Sequence, residues 1–484
     1  MDELAFAGAG DVVEKIRQRE IGALEYLEFL LSRVERLNGD INAVVARDVD
    51  AARRRAEAAD EAAARGESWG PLHGLSMTVK DSIEVVGMPC TSGAPMLKEH
   101  RPGHNAVSVQ RLLDAGAIVY GKTNLPLFAG DLQSYNEVYG TTNNPWDLTR
   151  GPGGSSGGAA AALASGMTAL EVGSDIGGSI RNPAGFCGVY GHKSSWGIIP
   201  LDGHIPPPPG MLAPTDIAVL GPMARNGEDL DLALGLMAGP HGPDARGWRL
   251  DLPAPTATSL ADYRIAVWPE EADFPLDAPV AAVLRRFADR LADAGARVEV
   301  AKPSIEMTRH HEMYYQLLAG VMGAGLPESL RDQFRDRVAR GEAQGDSYDD
   351  RFTRWSVQSH ADWLAANEQR AQMQRLWDGF FADWDAVLCP VTPTAAFPHD
   401  HSPQIGARSM QVNGAERPYM DYVLWAGLTG VIGLPSTVMP AGLTESGLPV
   451  GVQVVGPFAA DRICIDIVKK ASAALGGFTP PPGC

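Results

Sequence analysis

Two glycine-rich stretches decide how this chain is interpreted: GPGGSSGG at residues 151–158 and GSDIGGSIRNP at residues 173–183. Each contains a candidate reactive serine, Ser155 and Ser179, and Lys80 ends the apolar run LSMTVK upstream of both. Two hydroxyls and an amine can pass a proton and activate a serine without a histidine. The glycines before Ser179 also present consecutive backbone N–H groups, which a forming oxyanion requires. These side chains therefore predict acyl transfer on a carbonyl compound.

The segments around these loops alternate between short apolar runs and helical patterns. Residues 75–79, 118–120 and 169–173 have the length and composition of buried strands, whereas residues 105–115 have helical spacing. Strands that alternate with helices favour an α/β fold with a largely parallel sheet, covered by helices on both faces.

The length of the chain favours two or three domains, but a large sheet covered on both faces allows a single domain over residues 1–484, with helical segments on either side of a catalytic core at 75–225. Apolar residues recur at helical spacing through residues 8–65, which we expect to form an N-terminal helical segment. Residues 305–385 contain many aromatic and charged side chains, and we expect them to be helical and to select the substrate. The proline-rich residues 200–215 are expected to be stiff, as a surface connection or a wall of the cleft.

The composition limits the classes of partner. The chain is 45% hydrophobic and 21% charged, and its formal net charge is −18. Because an acidic surface repels nucleic acids and anionic membranes, neither is an expected partner. Five cysteines occur without a Cys-x-x-Cys pair, so no disulfide framework, metal or cofactor is expected. The N-terminus MDEL does not resemble a secretory signal, and we expect a cytoplasmic protein.

The serine block, GSSGG at 154–158 followed by DIGGSIRNP at 175–183, resembles the signature of the amidase signature family. That family includes fatty acid amide hydrolase, malonamidase and the A-type component of amidotransferases. The spacing of the lysine and the two serines also matches, and the similarity continues in GKTN at 121–124, NPW at 144–146, GPMAR at 221–225 and GLPVGVQ at 447–453. The resemblance implies the amidase signature fold, an α/β fold whose large, twisted, mixed and mainly parallel β-sheet is covered by helices on both faces.

The resemblance also implies catalytic roles. Ser179 is expected to be the nucleophile that forms the acyl-enzyme, Ser155 to pass the proton from a cis peptide bond, and Lys80 to be the base. A lysine has an ordinary pKa of about 10.4 and acts as a base only where burial lowers that value, which the apolar run before Lys80 predicts. The oxyanion would be bound by four consecutive N–H groups, those of Ile176, Gly177, Gly178 and Ser179.

Two charged residues flank the nucleophile. We expect Asp175 and Arg181 to form a pair that braces the loop, without a part in the chemistry.

Four residues are candidates for substrate contacts. Ala129 falls where the family offers a backbone carbonyl, and Gln133 lies in GDLQSYN at 130–136, which departs from the family's usual Ser/Thr-Glu-Asn stretch. Trp196 and Trp425 are candidates for the apolar lining that an organic group needs. The expected substrates are small aryl or alkyl amides, and the same acyl-enzyme route would handle esters and carbamates. The chain could form a homodimer.

Other interpretations of the same residues stay open. GGSSG at 153–157 fits the Gly-x-Ser-x-Gly elbow of α/β-hydrolases, although a loop precedes it where that elbow needs a strand. The glycine loops could hold a phosphate, although no Gly-x-x-x-x-Gly-Lys-Ser/Thr motif occurs. The chain could also be an A-type amidotransferase component that acts on glutamine with partner chains, or a catalytically silent binding protein of the same fold.

Overall fold

The N-terminal segment is helical except for one short strand. The computed structural model describes residues 2–484. Asn42 ends the second helix in the left-handed conformation (φ 53°) and directs the chain into a strand of four residues. The expectation of helices alone over residues 8–65 missed this strand, because four residues are too few for an alternating pattern to be recognised. The elements are α1 (Ala9–Arg17), α2 (Ala23–Ile41), β1 (Val44–Arg47) and α3 (Val49–Ala64).

The next part of the chain holds both serine loops between buried elements. The helix after the Ser155 loop consists of glycine, alanine and leucine and is buried on every side, as expected for a helix at the centre of a domain. The elements are β2 (Ser76–Lys80), α4 (Val107–Asp114), β3 (Ile118–Thr123), β4 (Tyr135–Asn136), β5 (Gly140–Thr141), α5 (Gly157–Ala164), β6 (Glu171–Asp175), α6 (Arg181–Cys187), β7 (Tyr190–Lys193), β8 (Val219–Ala224) and α7 (Gly227–Met237).

The second half of the chain inserts four consecutive helices between two groups of strands. These helices occupy the segment predicted to be helical from its aromatic and charged composition. The elements are α8 (Asp244–Gly247), β9 (Arg264–Val267), α9 (Ala278–Asp293), β10 (Arg297–Val300), α10 (Met307–Ala324), α11 (Glu328–Ala339), α12 (Tyr348–Ser356), α13 (His360–Phe380), β11 (Ala386–Pro390), β12 (Ser409–Val412), β13 (Ala415–Pro418), α14 (Leu424–Gly430), β14 (Ser436–Leu443), β15 (Pro449–Val455) and α15 (Asp461–Leu475).

The main sheet is mixed, in the order β10-β9-β11-β15-β14-β7-β8-β6. The predicted α/β class with a large mixed sheet is confirmed, but the prediction of mainly parallel strands is wrong. Only the pairs β10–β9 and β9–β11 are parallel, and the other five neighbouring pairs are antiparallel. Two of these antiparallel pairs follow from the position of β8. It lies between β6 and β7, so the two strands that α6 connects run in the same direction without being neighbours.

A second, three-stranded sheet has the order β1-β3-β2 and lies beside the main one. Its strand β2 packs against β6 of the main sheet, and α5 contacts both strands. The end of β2, the start of α5 and the end of β6 therefore meet at one place. Lys80, the Ser155 loop and the Ser179 loop are brought there by these three elements.

Candidate active site

The Lys80 side chain is fully buried and contacts three serine hydroxyls. Its Nζ lies 2.6 Å from the Oγ of Ser155, 2.9 Å from that of Ser156 and 3.0 Å from that of Ser174. The contact with Ser155 is the one predicted from the sequence. Ser156 and Ser174 were missed, although both lie inside the quoted glycine-rich stretches, because the spacing does not tell which neighbouring hydroxyls point at the amine.

The environment of Lys80 makes the amine a usable base. Burial lowers the pKa of Lys80 to about 7, and the negative charges of Asp175 and Glu171 oppose this shift without cancelling it. A neutral amine has two N–H donors and one lone pair, where an ammonium has three donors and no acceptor. It can therefore accept a hydrogen bond from one of its three hydroxyl partners while it donates to the other two.

The loop that carries Ser155 is held by backbone packing. The peptide bond between Gly154 and Ser155 is cis, as the resemblance implied. A Cβ on Gly154 would lie 2.6 Å from the carbonyl oxygen of Asp131, so only glycine fits at this position. The hydroxyl of Ser134 donates to the carbonyl oxygen of Gly153 at 3.0 Å and fixes the other side of the loop.

Ser179 lies on the loop between β6 and α6 and is 5% exposed, whereas Ser155 is completely buried. The two serine loops are joined directly, because the N–H of Ser156 donates to the carbonyl oxygen of Ser179 at 2.9 Å. Within residues 2–484 the Ser179 hydroxyl makes no hydrogen bond of its own, and none joins it to the hydroxyl of Ser155. The structure thus places the amine and the first serine in contact and leaves the second serine at the accessible side.

A buried charge pair braces the Ser179 loop, and this expectation is confirmed. The Nη2 of Arg181 lies 2.8 Å from Oδ1 of Asp175, and its Nε lies 3.0 Å from Oδ2. The same carboxylate accepts the N–H groups of Gly178 at 2.9 Å and Ile180 at 3.0 Å. Burial alone would raise the pKa of Asp175, but Arg181 outweighs it and the pKa falls to about 2. The carboxylate is therefore ionised throughout the neutral range and holds the loop in shape.

The opposite end of Arg181 ties this loop to the C-terminal part of the chain. Its Nη1 donates to the carbonyl oxygen of Ala426 and to Oγ1 of Thr429, both at 2.8 Å, and to Oε1 of Gln453 at 3.2 Å. A buried guanidinium that is paired and hydrogen-bonded at every nitrogen tolerates its burial. Arg181 thus connects the Ser179 loop with α14 and β15.

One of the four expected oxyanion donors is already used. The Gly178 N–H donates to Asp175, so the structure corrects the prediction at this position. The N–H groups of Ile176, Gly177 and Ser179 make no hydrogen bond within the part of the chain that the structure describes, and they stay free to bind a ligand. The sequence could not separate these cases, because every residue of the loop has the same backbone donor.

Two expected substrate contacts are engaged elsewhere. Gln133 donates from Nε2 to the carbonyl oxygen of Asp400 at 2.7 Å and accepts the Asp400 N–H on Oε1 at 2.9 Å. Its side-chain amide joins the loop of Gln133 to the loop of Asp400, and both its nitrogen and its oxygen are already hydrogen-bonded there. Trp425 is 1% exposed and packs edge-on against Trp268, with ring centroids 5.4 Å apart, so it belongs to the hydrophobic core.

The other two expected contacts lie on accessible turns. Phe128 and Ala129 have φ values of 49° and 56°, and two consecutive non-glycine residues with positive φ are uncommon outside functional loops. Trp196 is 38% exposed, and its backbone N–H donates to the carbonyl oxygen of Gly433 at 3.0 Å. Among residues 2–484, no donor is hydrogen-bonded to the Ala129 carbonyl and no aromatic ring stacks on Trp196.

A cavity of about 320 Å³ lies between α10, α12 and the segment Tyr419–Val423. Most of its wall is aromatic or aliphatic, and charged groups stand at intervals along it. The residues that line it include Phe274, His311, Glu312, Tyr315, Leu318, Met322, Tyr348, Arg351, Phe352, Trp355, Met420 and Asp421. Burial lowers the pKa of His311 well below its ordinary value, so this imidazole is neutral.

The cavity and the Ser179 loop share two walls. On α10, Tyr315 lines the cavity, while the hydroxyl of the preceding Tyr314 lies 3.3 Å from the carbonyl oxygen of Ile176. In the segment Tyr419–Val423, Met420 lines the cavity, and a Cβ on Gly177 would lie 3.7 Å from Cγ1 of Val423. The cavity and the Ser179 loop are therefore both bordered by α10 and by the segment Tyr419–Val423.

Acidic, histidine and cysteine side chains do not cluster in the way that a metal centre requires. Across residues 2–484, no group of three or more of them is arranged to hold a metal ion. None of the helices in this range has both the length and the apolar composition needed to cross a bilayer.

Comparison with known proteins assigns the family. The model of the amidase family matches residues 25–465. The chain belongs to the amidase family. The A-type component of the glutamyl-tRNA(Gln) amidotransferase of Moorella thermoacetica is 32% identical over 488 residues, which cover 94% of each chain. The corresponding protein of Chloroflexus aurantiacus is 33% identical over 91% of each chain.

Solved structures of this family have the same architecture. A bacterial aryl acylamidase of the amidase signature enzymes is 26% identical, with a TM-score of 0.81 over 97% of this chain and 96% of that one. A protein from a vestigial complex connected with the origins of an s-triazine catabolic enzyme is 28% identical, with a TM-score of 0.81 over 99% of this chain and all of that one. This amidase-family chain is thus an enzyme of the class that acts on C–N amide bonds.

Proposed function

We propose that the chain is a serine amidohydrolase that cleaves small aryl or alkyl amides through an acyl-enzyme on Ser179. The observation that carries the proposal is the 2.6 Å contact between a buried Lys80 amine and the Ser155 hydroxyl, at a pKa of about 7 that leaves a large share of the amine neutral at pH 7. A base in this state can take a proton at physiological pH.

The proposed reaction uses Ser179, Ser155 and Lys80 in turn. Ser179 Oγ attacks the substrate carbonyl, its proton passes to Ser155, and the Ser155 proton passes to Lys80. The carbonyl oxygen becomes an oxyanion, which the free N–H groups of Ile176 and Gly177, with that of Ser179 itself, can bind. When the C–N bond breaks, the proton returns through Ser155 to the leaving amine. Water then attacks the ester on Ser179 by the same route and releases the acid.

The cavity between α10 and α12 supports an aryl or alkyl group on the substrate. Its volume of about 320 Å³ is at the lower end of those that small molecules occupy in proteins, and most of its wall is aromatic or aliphatic. Its lining residues Tyr315 and Met420 belong to the same two segments as Tyr314 and Val423, which approach the Ser179 loop. We assign it to the organic part of the substrate, with Trp196 and the Ala129 carbonyl as further contacts at the surface.

Turnover by the isolated chain tests the proposal. The purified protein is given p-nitroanilide, ester and carbamate substrates of matched acyl groups, with Ser179→Ala as the control. The expected result is hydrolysis by the wild-type chain without glutamine or partner chains, and loss of at least about 10³-fold in the variant. Undiminished hydrolysis by Ser179→Ala would overturn the assignment.

A second candidate is an A-type amidotransferase component, which the curated relatives favour by their similarity over 94% of the chain. In that function Ser179 would release ammonia from glutamine, and partner chains would use the ammonia. The two candidates differ in substrate and in assembly. Glutaminase activity that appears only with co-purified partner chains would favour the amidotransferase, and hydrolysis of anilides by the chain alone would favour the amidohydrolase. A purified chain that hydrolyses none of these substrates and whose Ser179 is unreactive would instead be a binding protein.

A further inference from the structure

Tyr314 is a buried residue of α10 whose hydroxyl group reaches the oxyanion loop. Its Oη donates to the carbonyl oxygen of Ile176 at 3.3 Å. The aromatic ring occupies the space between two glycines. A Cβ on Gly177 would lie 2.8 Å from the Tyr314 hydroxyl, and a Cβ on Gly427 would lie 2.5 Å from ring carbon Cε1. Because neither glycine could carry a side chain without displacing the tyrosine, the three residues form one closely fitted contact.

This contact determines the direction of a backbone donor. The peptide bond between Ile176 and Gly177 is not among the cis bonds of the chain, and in a trans peptide the C=O and the N–H point in opposite directions. Since the Ile176 carbonyl is directed at Tyr314, the Gly177 N–H is directed away from it. That N–H makes no hydrogen bond to any of residues 2–484.

We propose that Tyr314 is a positioning residue, which holds the Ile176 carbonyl and thereby directs the Gly177 N–H at the oxyanion of the reaction. The inference rests on the proposed function, because it takes Ser179 as the nucleophile. The bond of 3.3 Å is long for two oxygens. Hydrogen bonds that serve catalysis are often long in the free enzyme and tighten when the transition state forms.

The same residue connects substrate selection with catalysis. The Tyr314 ring centroid lies 6.2 Å from that of His311 and 5.9 Å from that of Tyr315, and both of these neighbours line the cavity. A ligand in the cavity would therefore pack against the helix that fixes the oxyanion loop. A segment outside the two serine loops would in this way influence turnover as well as binding.

Tyr314→Phe tests the proposal, because it removes the hydroxyl and keeps the ring. We expect kcat to fall about 10-fold, less than for loss of a direct oxyanion donor, while KM changes by less than about twofold. The affinity for a boronic acid that mimics the tetrahedral intermediate should fall by the same factor as kcat/KM, since both report binding of the transition state. An unchanged kcat, or a change confined to KM, would overturn the proposal.

Two further variants distinguish the loss of a positioning contact from a general disturbance of the fold. Tyr190→Phe removes a buried hydroxyl that is hydrogen-bonded to Ser472 Oγ of α15 at 2.7 Å and not to either serine loop, and it should leave kcat and KM unchanged. Gly427→Ala keeps the Tyr314 hydroxyl but displaces the ring that carries it, and it should lower kcat in the same way as Tyr314→Phe. If the proposed function fails, the wild-type chain hydrolyses no amide, whereas failure of this inference alone leaves wild type and Tyr314→Phe equally active.

Discussion

The core at residues 75–225 and the helices α10–α13 differ in how completely they are buried. Every residue of α5, which follows the Ser155 loop, is buried, whereas α11 has no buried residue at all. Between these extremes, α10 buries one face, which carries Tyr314 and Tyr315. A catalytic amine needs a dry, fixed environment to lose its charge, while a selective surface needs open space for a ligand. The difference supports the proposal that the chemistry lies in the first region and the choice of substrate in the second.

The largest effect should come from Lys80→Met, which keeps the volume of the side chain and removes the base. We expect kcat to fall by about 10³-fold, because no other basic side chain of residues 2–484 contacts the Ser155 hydroxyl. The measurement is amide hydrolysis at pH 8, with circular dichroism to show that the variant is folded.

Lys193→Met is the matched control, since burial also lowers the pKa of this lysine to about 7. Lys193 donates to the carbonyl oxygens of Ser194 and Leu434, at 2.9 and 2.8 Å, and contacts neither proposed catalytic serine. Its loss should lower the free energy of unfolding by about 1–3 kcal/mol and leave kcat per folded molecule intact. If Lys80→Met kept its activity, Lys80 would not be the base, and the two lysines would not differ in their effect on catalysis.

The next effect concerns stability and separates the two tryptophans that the sequence proposed as substrate contacts. Trp425→Ala should lower the free energy of unfolding by about 3–5 kcal/mol, because it opens a cavity beside Trp268 in the core. Trp196→Ala removes an exposed ring and should change this free energy by less than about 0.5 kcal/mol. Denaturant titration of both variants measures the difference, and equal losses would contradict the burial of Trp425.

A third effect is the dependence of activity on pH. Burial lowers the pKa of Lys80 to about 7, so the neutral, reactive amine predominates above pH 7 and the ammonium below it. We expect kcat/KM to rise about tenfold per pH unit below this value and to level off above it. A rate that falls as the pH rises from 6 to 8 would show that the protonated lysine is the active form.

The smallest effect should come from the cavity. Phe352→Ala shortens its aromatic wall and should lower kcat/KM for an aryl substrate by roughly fivefold, or about 1 kcal/mol, while an acetyl substrate of the same leaving group is unaffected. Leu364→Ala on α13 is the control, because this side chain is 50% exposed and does not line the cavity. Equal losses for both substrates would show that the cavity does not receive the acyl group.

The sequence predicted best where local chemistry restricts the choice of residue. The Asp175–Arg181 pair, the burial of Lys80 and the cis bond before Ser155 could all be expected from the glycine-rich stretches and their resemblance to a family. These features depend either on residues that are close along the chain or on contacts between distant elements that the resemblance implied. The α/β class followed from the alternation of strands and helices, and the mixed sheet from the resemblance.

The failures share a physical cause, since each depended on contacts that no local pattern records. Strand direction was misjudged in part because β8, which follows β7 in the chain, lies between β6 and β7 in the sheet. Gln133 pairs with Asp400 and Trp425 packs on Trp268, and neither partner could be known from composition. The Gly178 N–H donates to the side chain of Asp175, three residues away, in a turn whose geometry the amino-acid sequence alone does not define.

Covalent labelling tests the central claim most directly. The wild-type chain and Lys80→Met are treated with a fluorophosphonate at pH 8, digested, and analysed by mass spectrometry for the modified residue. The account predicts a single adduct on Ser179 of the wild-type chain, formed at least about 10²-fold more slowly in Lys80→Met. An adduct on Ser155 in place of Ser179, or labelling of Ser179 at the same rate without the lysine, would contradict it.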